Sequence, residues 1–153
     1  MLVFTSCSTQ KITVAKEVSP SFKKNVSIFV ELDENFDKIP ELPDGFVNKV
    51  WTDNKKAKIV VIEEVERYKS LLKLSSINVA DSKEKSSVTA TIKMRSVRLD
   101  PIGGWITDGV KVTFVDSKTN ESIGEVSSGR QLITPSVQSV FTSLVAATSD
   151  FWN

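Results

Sequence analysis

The chain has 153 residues, 40% apolar and 25% charged, which suits one globular domain with a core of its own. A domain this long buries about 70% of its unfolded surface and needs no disulfide or metal staple. A net charge of +1 supplies no bulk field for nucleic acid; without histidine there is no Ser-His-Asp or Cys-His catalysis, and one cysteine forms neither an internal disulfide nor a metal cage.

The chain opens Met1-Leu2-Val3-Phe4-Thr5-Ser6-Cys7, followed by the polar Ser8-Thr9-Gln10. A short apolar run, two small residues and the sole cysteine resemble the end of a bacterial lipoprotein signal peptide, whose cysteine is lipidated. Thr5 and Ser6 fit the small positions, and Phe4 stands where leucine is more usual. A complete signal also has a basic region and a longer apolar stretch, so on this reading Met1 is an internal start. The alternative is a frayed terminus with a stray thiol. Residues 1–24 are then signal remnant and tether, and residues 25–153 the domain. Ile12 and Val14 alternate with Thr13, which also allows a short edge strand.

Val26–Leu32 is β-rich and predicts a strand. Asp33 to Asp44 is acidic and broken by Pro40 and Pro43, so it reads as a loop. Asp44 suits the cap of a helix with Phe46, Val47, Val50 and Trp51 on one stripe. Ala57–Ile62 is short, apolar and β-branched, which predicts a buried strand, and Glu63–Lys73 switches to a helical period. Val88, Ala90, Ile92 and Met94 alternate with polar residues as a half-buried strand does. Asp100–Gly109 reads as a tip, residues 110–127 as a hairpin, and Thr134-Pro135 as cap and first residue of a helix carrying Val137, Val140, Phe141, Leu144, Val145 and Phe151. Together these define an α+β domain: a mixed sheet of about four to five strands packed by two to three helices, ordered β-α-β-α-β-β-β-α.

That order resembles the amino-terminal domain of TolB and its relatives among envelope lipoproteins, including CsgG, LpoB and PelC. The phrases that carry the likeness are Ala57 to Leu72 with its paired leucines, Ser87–Ile92, and Phe114-Val115-Asp116-Ser117-Lys118-Thr119-Asn120. Asn120 stands in for a turn glycine, since both tolerate the left-handed conformation. The glycine of the family's third strand is absent here. The likeness spans roughly residues 25–150 and implies a non-catalytic protein that works through protein contacts, including contacts with itself.

Other motifs are weaker. Asp33-x-Asn35-x-Asp37 starts like a calcium loop but lacks the sixth-position glycine and twelfth-position glutamate, so no metal is assigned. Ser-x-x-Lys begins at Ser8, Ser21, Ser70 and Ser82 where chance alone places about two, and no companion motif supports catalysis. Lys93, Arg95, Arg98 and Lys111 read as a solvated face, because no aromatic platform alternates with them. Trp51 and Trp152 read as core. Trp105, flanked by Ile102 and Ile106, is the candidate partner anchor, its alternative being a lid over the end of the sheet. The reading is a lipoprotein of the outer membrane's periplasmic face, anchored through Cys7. It has no cofactor, catalytic residue or nucleic-acid partner, and binds an envelope protein or itself. A non-lipidated soluble adaptor is the alternative.

Overall fold

The computed structural model describes residues 8–33, 54–100, 104–130 and 135–153. The expected loop at 34–44, the helix after Asp44 with Trp51, and Pro101–Gly103 lie outside these residues. One six-stranded sheet forms the frame, ordered β1-β6-β5-β4-β2-β3. Its strands are β1 (Ser8–Val14), β2 (Ser27–Leu32), β3 (Asn78–Val79), β4 (Val88–Asp100), β5 (Gly104–Asp116) and β6 (Ser122–Arg130). β1, β6, β5 and β4 pair antiparallel, while β2 and β3 run parallel to their neighbours. The helices are α1 (Pro20–Lys24), α2 (Asn54–Leu74) and α3 (Val137–Trp152).

The α+β class stands as expected, with six strands rather than four to five. The two added strands are the hardest to see in sequence. β3 has two residues, and β1 carries only two apolar side chains among polar ones. Residues 8–24, read as a tether that also allows a short edge strand at Ile12–Val14, hold β1 and α1. Ser19 caps α1 by accepting the Phe22 N–H at 3.1 Å, and Pro20 sits in its first turn, where a missing N–H costs nothing.

Ala57–Ile62 is not a strand but the amino-terminal part of α2. No glycine or proline separates it from the helical run that follows, so a helix nucleated there propagates back through it. Ala57, Val61, Val65, Tyr68 and Leu72 make one buried stripe at helical spacing, whereas Ile59 and Ile62 are exposed. A short β-branched run does not separate strand from helix by itself. α3 also starts later than Thr134-Pro135 implied. Ser136 is its cap, accepting the Ser139 N–H at 3.1 Å, and Pro135 precedes the helix as a buried residue.

α2 packs against β2, β3 and β4, α3 against β1, β5 and β6, and the two helices touch. The sheet face below them carries Ile28, Val30, Val88, Ala90, Ile92, Val112, Phe114 and Val126, all buried. Tyr68 joins the helices: its ring meets Phe141 edge-on at 6.3 Å, and its hydroxyl bonds the Thr148 hydroxyl at 2.7 Å. Full burial pushes the Tyr68 phenol well above its ordinary value. Trp152 is core, as expected, within a cluster with Phe22, Phe114 and Phe151.

The β5–β6 turn fits its sequence. Asn120 adopts a φ of 60°, the left-handed conformation its side chain tolerates. Asp116 Oδ1 accepts the N–H groups of Lys118 at 2.8 Å and Thr119 at 3.1 Å. Those two bonds hold the Asp116 carboxyl below the usual carboxylate range. A lowered native value means stability that is full above the unfolded range and lost as pH falls through Asp116's own titration. Asp116→Asn keeps an oxygen acceptor but not the charge. Urea unfolding should show a gap between parent and variant at neutral pH that narrows in acid; a gap independent of pH would contradict this role.

Candidate interaction site at one end of the sheet

β4 and β5 are longer than their neighbours. β2 pairs with β4 only as far as Ile92, and β6 with β5 only as far as Gly109. Beyond those points the two strands continue as an arm, with Val97 opposite Thr107, Leu99 opposite Trp105 and Asp100 opposite Gly104. Trp105 and Ile106 therefore lie on a strand and not on the loop expected over Asp100–Gly109. The β-favouring Trp105, Ile106 and Thr107 find partners in Val97, Arg98 and Leu99, and pairing wins over the turn signal of the glycines. Gly104 starts β5 with a φ of +72°, and a side chain there would have space but a strained backbone.

The root of the arm is held by the segment before α3. The Thr107 N–H donates to the Pro135 carbonyl at 3.1 Å, and Ile106 bridges to Ser136. Ile106 is 8% exposed and Val97 2%, so both are walls of the core. Trp105 is half-buried against that core, and Leu99, its cross-strand neighbour, is 39% exposed. Among the described side chains of the arm, Leu99 is exposed and Trp105 stands half-buried beside it. Leu99 was missed because the alternation beyond Arg95 is broken by polar residues. Cys7 and Ile102 lie outside the described residues.

On the sheet face away from the helices, Lys93 stands opposite Lys111, and both are exposed. Lys111 Nζ lies 3.7 Å from Glu125, and the Thr91 hydroxyl donates to Glu31 at 3.0 Å. Such bonds on an open face are solvated and individually weak. Among the described residues no three acidic or cysteine side chains gather as a metal site would require. An open cleft of about 490 Å³ lies between α1, the turn after α2 and the end of α3, lined by Lys23, Lys24, Ile77, Asn78 and Trp152 among others. The Ser70 hydroxyl donates to the Glu66 carbonyl within α2, so that Ser-x-x-Lys match is an exposed helix face.

An open mixed sheet with both long helices on one face and a protruding hairpin arm defines the class. The fold is PelC-like. It superposes on a PelC dodecamer subunit from Paraburkholderia phytofirmans with a TM-score of 0.51 at 14% identity, covering 91% of this chain and 92% of that one. A DUF4136 family protein from Bacteroides thetaiotaomicron is similar with a TM-score of 0.50 at 9% identity, covering 95% of this chain and 94% of that one. No protein-family model matches the sequence, and no curated protein matches it.

Proposed function

We infer that this chain is a non-catalytic component of the bacterial envelope, held at the periplasmic face of the outer membrane by lipid on Cys7, and that it acts through contacts with protein partners and with its own copies. The observation that carries this is the fold likeness, over nine-tenths of both chains, to a PelC solved as a dodecamer. The Cys7 context, Thr5-Ser6-Cys7 followed by polar residues, supports the anchor, and a sequence without histidine supports a non-catalytic role. Trp105, with Leu99 beside it, is the partner contact, because an aromatic set against a branched apolar neighbour on a projecting arm offers a compact anchor.

Intact mass of the protein from cells expressing the gene with its native upstream sequence tests the anchor. A membrane-fraction species that starts at Cys7, carries acyl-sized mass and vanishes in Cys7→Ala is the expected result. An unmodified chain that still begins at Met1 would overturn it in favour of the soluble adaptor. In the same cells Trp105→Ala should reduce co-purifying partner or assembled species while the thermal midpoint changes little. A large loss of stability would instead make Trp105 part of the core.

A further inference from the structure

β1 is a terminal strand of the sheet, and its hydrogen-bonding pattern sets what its outer edge offers. The Ala15 N–H donates to the Ile123 carbonyl at 2.9 Å, so Ala15, one step past the last ladder pair Val14–Gly124, bonds inward to β6. Pairs alternate along such a ladder, so Thr13 and Lys11 also bond inward to β6. The N–H and C=O groups of Gln10, Ile12 and Val14 therefore point outward. Ile12 is 44% exposed and Val14 53%, so two of the residues whose outward backbone groups meet no partner among the described residues also carry exposed apolar side chains. The strand is fixed in place. The Gln10 side-chain amide donates to the Ser143 carbonyl of α3 at 3.1 Å, and Lys16 pairs with Glu121 just past its end. A fixed edge of this kind, carrying neither proline nor bulge, is a template for another strand.

We propose that the outer edge of β1 is a docking surface for β1 of a second copy of this chain, antiparallel about a two-fold axis through Ile12. This rests on the self-association part of the proposed function and names its surface. In this register Ile12 faces the partner's Ile12 and Gln10 faces the partner's Val14, so the six outward backbone groups of Gln10, Ile12 and Val14 on each strand find partners. The exposed Ile12 and Val14 side chains close on one another above the helix-bearing face. Lys11 falls opposite the partner's Thr13. Shifting the axis to Lys11 would set two ammonium groups directly across from each other, which disfavours that alternative. The interface is isologous, and it joins the two sheets into one.

The test uses the full chain with Cys7→Ala, which removes the native thiol. Ile12→Cys should form a covalent dimer under mild oxidation, since a cross-strand pair on the axis has Cα atoms about 5.5 Å apart, within disulfide reach. Lys11→Cys should not, because two residues of strand separate it from its own copy. Light scattering should show the parent self-associating and Ile12→Lys shifted at least tenfold toward monomer, with unchanged circular dichroism because the site is exposed. A parent that stays monomeric at every concentration would overturn both this edge and the self-association reading. An oligomer that persists in Ile12→Lys, with no selective crosslink at Ile12→Cys, would overturn the edge alone.

Discussion

Gly124→Ala should destabilise the protein by about 2–3 kcal/mol, the range for overpacking a filled site. That corresponds to a fall in thermal midpoint of roughly 8 °C at this chain length. A Cβ on Gly124 would come within 2.4 Å of the Thr13 carbonyl oxygen in β1 and 2.7 Å of the Phe151 ring in α3. Neither neighbour yields easily. The first is backbone in a paired strand, and the second is clamped between Phe114 at 4.9 Å and Trp152 at 5.0 Å. The glycine thus lets β6 approach β1 and the end of α3 at once. Combining Gly124→Ala with Phe151→Leu should cost less than the two single changes added, because both act on one contact. Thermal melts of the three variants decide it; a neutral Gly124→Ala would show that β1 and Phe151 do not meet over Gly124.

Phe114→Ala should cost more, about 3–5 kcal/mol. Phe114 is fully buried near the carboxyl end of β5, tilted against Phe151 and edge-on to Trp152 at 5.3 Å. Removing the ring deletes both aromatic contacts and leaves a cavity that a rigid sheet cannot close. A domain has only about 5–15 kcal/mol of stability in total, so this variant should sit close to unfolding. Phe114→Leu, which refills most of the volume, should cost roughly half as much. Urea unfolding with an unchanged denaturant slope would tie the loss to the folded state, and a loss below about 1 kcal/mol would contradict the placement of the ring cluster.

How much of this was legible depends on whether a segment's partners left a mark in its own residues. Val88–Met94 alternates because one side meets the helices and the other meets water, and that contrast is visible without a structure. The stripe of α3 and the turn with Asn120 were equally open to reading. Ala57–Ile62 misled because β-branched residues suit both a buried strand and a buried helix stripe. Only the continuous backbone into Glu63 distinguishes the two. β1 left only the short Ile12–Thr13–Val14 alternation that allows an edge strand, because a terminal strand covered on one side needs few apolar residues. At the candidate site, Trp105 could be singled out as an aromatic among glycines. The burial of Ile106 could not, because it depends on Pro135 and Ser136, distant in sequence and held there by the Thr107–Pro135 bond.

The polarity of the strands has a consequence for how the molecule would stand on a bilayer. Ser8 lies beside Arg130, Gly129 beside Gly109, and Gly109 beside Arg95, so the beginning of β1 and the outgoing arm share one end of the sheet. β1 starts one residue after Cys7, and a single residue reaches only about 3.8 Å. An acyl chain on Cys7 would leave no slack between lipid and sheet. The domain would stand upright on the headgroups rather than swing below them, and its height would be set by the strands themselves. The arm would then share the lipid-facing end of the sheet, so the protein partners that Trp105 meets would be ones lying close to the membrane surface, with the two long helices turned to the side.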